Sequence, residues 1–156
     1  MKKYKIKIVA SNFNKKITDY LIEGAKIQSE IKSVDDYEIV VDCIFVPGAF
    51  EIPSMVSQII NKDIDRNEYN GILTLGSVIK GETAHFEYIS SAVIDTLSKL
   101  TISSHIPIAL GILTCLDYNQ ALNRALPLKD GGLNKGGEVM SALLQTINEW
   151  EKINRR

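Results

Sequence analysis

The sequence predicts an α/β protein built on a four-stranded parallel sheet with helices on both faces, a three-layer α/β/α sandwich. Three observations predict it. Short β-branched runs alternate without exception with segments whose apolar residues recur at helical spacing. One of those runs is apolar almost throughout, as suits a strand covered on both faces. No repeats or linkers interrupt the 156 residues, which fit one domain, 1–156, of the roughly 100–200 residues expected.

Residues 4–10 alternate charged and apolar side chains, rich in Ile and Val, until Ser11-Asn12-Phe13-Asn14 breaks the run. Over 15–31, Ile17, Leu21, Ala25 and Ile27 fall at roughly helical spacing, with the Asn14 side chain placed to cap the first amides. Residues 37–45 form a second β-branched run, closed by Val46-Pro47-Gly48; Ile52, Met55, Val56, Ile59 and Ile60 then mark a helix. Residues 70–75 make a third strand ending at Gly76. From Ala84 onward Ile89, Ala92, Val93, Leu97 and Leu100 mark another helix, and 107–113 (PIALGIL) is the fourth strand. The C-terminal part is helical: a short segment at 118–125, a loop at Asp130-Gly131-Gly132, and a long helix with Met140, Leu143, Leu144, Ile147 and Trp150 on one face.

Composition removes several classes. With 45% hydrophobic and 24% charged residues the chain has enough apolar material for a core, which argues against disorder and fibrous repeats. Eighteen basic against nineteen acidic side chains give a net charge of -1, so no broad cationic surface for nucleic acid or anionic lipid is expected. Cys43 and Cys115 lie apart in apolar runs, outside the spaced pairs of zinc sites and disulfide frameworks, and read as reduced and structural. No stretch reaches the roughly 18 continuous apolar residues of a membrane span, and MKKYKIKIVAS lacks a signal-peptide core. A cytoplasmic, soluble protein is the expectation.

In an open parallel sheet ligands bind beyond the carboxyl ends of the strands. That edge gathers the unusual chemistry. Gly76-Ser77-Val78-Ile79-Lys80-Gly81-Glu82-Thr83 matches a P-loop in its glycines and its Thr, but Glu82 stands where the lysine belongs. A carboxylate there repels a triphosphate, so a nucleotide hydrolase is rejected. A single phosphate still fits: Gly81, the amides of Glu82 and Thr83, the Thr83 hydroxyl and the following helix end can form an anion nest. The alternative is a tight strand-to-helix turn with an acidic first helical turn. His85, one of two histidines, falls in that first turn, where the helix dipole disfavours the imidazolium; a neutral ring beside a phosphate cradle suits a general acid/base. Elsewhere a lone histidine reads as a surface or capping group; its place at the ligand edge reverses that preference. His105 lies at the opposite edge and is assigned no role.

Phe13 can stack on a planar heterocycle, or pack as a staple under the first helix. Gly48-Ala49-Phe50-Glu51 offers backbone open to close approach and a carboxylate that can accept from hydroxyls or ring N–H groups; alternatively Glu51 faces its helix dipole and Phe50 joins the core. Arg124 alone is a solvated charge, but in an assembly it can reach a neighbour's phosphate.

Taken together, Asn12-Phe13-Asn14, Val46-Pro47-Gly48-Ala49-Phe50-Glu51-Ile52-Pro53, Leu75 to Thr83 with His85-Phe86-Glu87-Tyr88, Gly111-Ile112-Leu113-Thr114, and Gln120-Ala121-Leu122 to Arg124-Ala125 with Asn134-Lys135-Gly136 resemble the 6,7-dimethyl-8-ribityllumazine synthase family of riboflavin biosynthesis over nearly the whole chain. The resemblance implies a flavodoxin-like fold and condensation of 5-amino-6-(D-ribitylamino)uracil with 3,4-dihydroxy-2-butanone 4-phosphate, without metal or redox cofactor. By that likeness Phe13 stacks on the pyrimidine; Ala49, Phe50, Glu51, Ser77, Val78 and Ile79 hold the ring and ribityl chain; Leu110 lines the neighbouring subunit's side. Glu82, Thr83 and Arg124 bind the phosphate, and His85 is the proton donor. Leu110 stands where many members have Phe. The stretch between Arg124 and Asn134 is longer than usual, which in the family accompanies pentamers rather than icosahedral shells, so a homopentamer with sites shared between subunits is expected. Three other readings stay open: an archaeal-type riboflavin synthase, against which Thr83 and Arg124 argue; a flavin-binding module; and a shell protein without activity.

Overall fold

The computed structural model describes residues 2–32 and 37–154. Four strands, β1 (Lys2–Ser11), β2 (Tyr37–Val46), β3 (Gly71–Ile79) and β4 (Ile108–Cys115), alternate with α1 (Lys15–Lys32), α2 (Ile52–Asp63) and α3 (His85–Ser103). Helices α4 (Tyr118–Ala125) and α5 (Lys135–Asn154) complete the chain. Two single turns of 3-10 helix, Ala49–Glu51 and Leu128–Asp130, escaped the periodicity because they are too short to show one.

The sheet is parallel throughout, in the order β2-β1-β3-β4, the flavodoxin-like arrangement. The two central strands carry the apolar load: Ile6, Ile8, Val9, Ile72, Leu73 and Leu75 are fully buried. On one face Ile8, Ala10, Leu73 and Leu75 pack with Ile17, Leu21 and Ala25 of α1, Ala121 of α4 and Met140, Leu143 and Ile147 of α5. On the other, Val9 and Ile72 pack with Ile52, Val56 and Ile60 of α2 and Val93 and Leu97 of α3. The three-layer prediction holds.

Several details differ from the expectation. Strand β3 does not stop at Gly76 but runs on to Ile79. Glycine there marks a close approach, not a turn: a Cβ would lie 2.5 Å from Ser11 Oγ on the neighbouring strand. Strand β4 lies at the sheet edge yet is covered on both faces, Ala109 and Leu113 packing into one core and Ile108 and Ile112 into the other, while Leu110 is 45% exposed. Ile27 sits off the α1 core face because it is two residues beyond Ala25, most of a half-turn away. The α1 and α5 backbones meet at Gly136, where a Cβ would run into the Leu21 carbonyl.

Candidate active site

The carboxyl ends of the strands enclose a cleft of about 410 Å3. Its first wall is the turn between β1 and α1. Asn12 N–H donates to Val46 O at 2.8 Å and Phe13 N–H to Pro47 O at 2.9 Å, which bolts the turn to the end of β2. Asn14 adopts a left-handed backbone, φ 56°, a conformation asparagine tolerates better than most residues. Its side chain is not the helix cap that its position suggests: the amide Nδ2 donates to Ser77 O at 3.1 Å, tying the turn to β3 as well. Held at both sides, the Phe13 ring stands 71% exposed, so the staple alternative does not describe it.

The second wall is Gly48, Ala49 and Phe50. The Glu51 carboxylate turns back to accept Gly48 N–H at 2.9 Å, closing the 3-10 turn and leaving the Phe50 ring 61% exposed. Glu51 therefore lines an adjoining hollow between α2 and α3, outside the cleft. Ser77, Val78 and Ile79 form the floor. The Ser77 hydroxyl is buried and has no hydrogen-bond partner, an open valence that proteins rarely leave without a reason.

Beyond the floor, residues 80–84 lead into α3. Lys80 N–H donates to Cys115 O at 2.9 Å, one rung past the end of β3. Thr83 Oγ1 accepts His85 N–H at 3.3 Å, and His85 opens the helix with its side chain exposed to the cleft. Among the described residues no acceptor takes the N–H groups of Gly81, Glu82 and Thr83. Free amides at the start of a 19-residue helix are suited to an anion. Lys80 Nζ reaches Glu87 Oε1 at 2.7 Å, and that hydrogen bond holds the Glu87 carboxyl below its ordinary range.

The structure thus brings Phe13, Ala49, Phe50, Ser77, Val78, Ile79, Thr83 and His85 to one cleft. Glu82 is exposed on the loop and does not line it. Leu110 lies in a hollow against α5. Arg124 bonds its own helix, Nη1 to Gln120 O at 3.1 Å, and lies close enough to Cys115 to oppose the rise that burial imposes on that thiol. Phe86 and Ile89 also line the cleft, where the sequence offered Ile89 only as an apolar marker of the helix and Phe86 only as part of a motif; the spacing 85, 86, 89 along one helix was the available signal. Among the described residues no group of three or more His, Cys, Asp or Glu is placed to hold a metal, and no helix is long and apolar enough to cross a membrane.

An open parallel sheet with a cleft at its carboxyl edge, two exposed aromatic rings and loop amides at the start of a long helix defines a flavodoxin-like protein with a small-molecule cleft. Sequence comparison places it within that class. The family profile described as 6,7-dimethyl-8-ribityllumazine synthase matches residues 3–151. The chain is 42% identical over 149 residues to a 6,7-dimethyl-8-ribityllumazine synthase from Leuconostoc mesenteroides, covering 96% of this chain and 90% of that protein. It is 44% identical over 149 residues to one from Limosilactobacillus reuteri (96% and 91% covered) and 39% over 150 residues to one from Helicobacter hepaticus (96% and 90%). The chain belongs to the 6,7-dimethyl-8-ribityllumazine synthase family.

Proposed function

We propose that the protein condenses 5-amino-6-(D-ribitylamino)uracil with 3,4-dihydroxy-2-butanone 4-phosphate, giving 6,7-dimethyl-8-ribityllumazine, phosphate and water in riboflavin biosynthesis. The observation that carries this reading beyond family membership is the presence, in the lining of one cleft, of the exposed Phe13 ring, the Gly81–Thr83 loop with its open amides, and His85. Phe13 stacks on the pyrimidine; Ala49 and Phe50 with Ser77, Val78 and Ile79 hold the ring and ribityl chain, Glu51 supporting that wall by closing its turn onto Gly48; the backbone amides of Glu82 and Thr83 take the phosphate. Closing the second ring makes two carbon–nitrogen bonds and expels phosphate and water, and each step moves a proton. His85 is placed to carry it. Holding both reactants in one cleft supplies much of the acceleration by proximity.

Leu110 and Arg124 belong to the site of an adjacent subunit in a homopentamer. Their distance from the cleft within one chain, and the exposure of Leu110 on an edge strand, support that assignment. The protein works in the cytoplasm. Light scattering tests the assembly: a pentamer is expected, and a shell-sized particle overturns it. The activity is tested by mixing purified protein with both substrates and following lumazine absorbance and phosphate release. Saturable acceleration of both signals is expected; a folded, assembled sample without acceleration refutes the activity.

A further inference from the structure

We propose that the Lys80–Glu87 ion pair is a strap on the anion loop, holding residues 80–84 against the first turn of α3 and cancelling the Glu87 charge that would otherwise face a bound phosphate. The inference rests on the proposed function in taking phosphate as the ligand of that loop. Three observations carry it. The backbone of Lys80 is already anchored, N–H to Cys115 O at 2.9 Å, so its side chain is presented from a fixed point. That side chain meets Glu87 Oε1 at 2.7 Å, closing a ring of chain that contains the amides of Gly81, Glu82 and Thr83, which have no acceptor among the described residues. Neither Lys80 nor Glu87 lines the cleft, so the pair acts through the loop and is not itself a ligand.

The charge balance gives the pair its function. The loop already carries Glu82, and Glu87 stands in the same helical turn as His85. A bare Glu87 would oppose a phosphate dianion through solvent and offset the attraction of the helix N-terminus. Paired with Lys80 its charge is balanced, and the Lys80 hydrogen bond favours the ionised carboxylate. Lys80 is therefore a positioning residue. Both groups are about half exposed (45% and 49%), which limits the effect to that of a solvent-screened pair.

The test is a charge-reversal cycle read by inorganic phosphate binding and by steady-state kinetics on the assembled protein. Lys80→Gln should weaken inorganic phosphate binding and raise KM for the butanone phosphate by about threefold to tenfold, while KM for the pyrimidine and kcat stay within about twofold. Lys80→Glu should be worse, and the swap K80E/E87K should recover most of the loss. Unchanged phosphate binding in Lys80→Gln, or a swap no better than Lys80→Glu, overturns the strap. A wild-type protein that binds phosphate with this pattern but does not turn over refutes the proposed activity and leaves the strap standing.

Discussion

The two ends of the sheet are built from similar residues and treated in opposite ways. At the amino end the buried and half-buried polar groups are tied to one another. The Asp63 carboxylate, 1% exposed, accepts Glu68 N–H at 2.8 Å and Tyr69 N–H at 3.0 Å and lies 3.2 Å from His105 Nε2. Lys7 Nζ meets Asp42 at 2.6 Å, and the Tyr69 hydroxyl donates to the same carboxylate at 3.2 Å. Asn70 exchanges two hydrogen bonds with Lys5. At the carboxyl end, among the described residues, the hydroxyls of Ser11 and Ser77 are buried without partners, the loop amides have no acceptor, and Phe13 and Phe50 are exposed. A polar network that closes on itself holds the fold, whereas open groups such as the Ser77 hydroxyl leave hydrogen-bonding capacity beside the cleft. The hollow of about 200 Å3 at the amino end has its Lys7, Asp63 and Tyr69 side chains held in that network, with the exposed Lys62 and Arg66 at its rim.

The comparison breaks most visibly at Asp63. Asp63→Ala strands two amide donors and frees His105, so it should cost about 2–4 kcal/mol of stability in urea denaturation and leave the kcat and KM of the surviving folded protein unchanged. A loss of activity without loss of stability would mean that the amino end is not purely structural. His85→Ala should show the reverse: stability unchanged, and turnover slower by about 10- to 100-fold but not abolished, because proximity survives the loss of the proton carrier. A folded variant that binds the pyrimidine and has no turnover at all would sink the proximity argument.

Phe13→Ala comes next in size. The ring is mostly exposed, so its loss should leave stability within about 0.5 kcal/mol, while the loss of stacking raises KM for the pyrimidine by up to about tenfold. Spectroscopic titration with the pyrimidine checks this. Equal affinity in the variant would move the stacking role to Phe50 across the cleft.

The sheet was legible because strand and helix alternate, and the site's address followed from that topology alone. His85 was found the same way, by falling at the carboxyl edge, not by any motif of its own. The overrun of β3 was not legible: Gly76 looks like a terminator in sequence, and only the nearness of Ser11 on another strand shows that it is a packing residue. The Asn14 side chain likewise has two partners within reach of inference, its own helix or a strand sixty-three residues away, and nothing local decides between them. Asp63 and His105, forty-two residues apart, share no pattern at all. Glu51 was drawn toward the ligand by its position, whereas the nearest donor, Gly48 N–H, takes it. Long-range pairing is what a single sequence hides.

The smallest effect belongs to Asp42 and tests whether the amino end depends on charge as well as on burial. The Lys7 hydrogen bond, with help from Tyr69, holds the Asp42 carboxyl below its ordinary value of 3.8, against the opposing effect of burial. A carboxyl lowered in the folded state contributes stability that is complete above its unfolded value and is lost as pH falls through the folded one. Acid should therefore weaken this end, and Asp42→Asn should remove that part of the acid dependence. The carboxylate is 43% exposed although Lys7 is only 13% exposed, so screening keeps the contribution under about 1 kcal/mol. Urea midpoints measured at neutral pH and in acid below 3.8 read it directly: wild type and Asp42→Asn should differ in the first and differ less in the second, the more so the lower the pH. If they differ equally at both, the hydrogen bonds of Asp42 matter and its charge does not, and the amino end is closed by geometry alone.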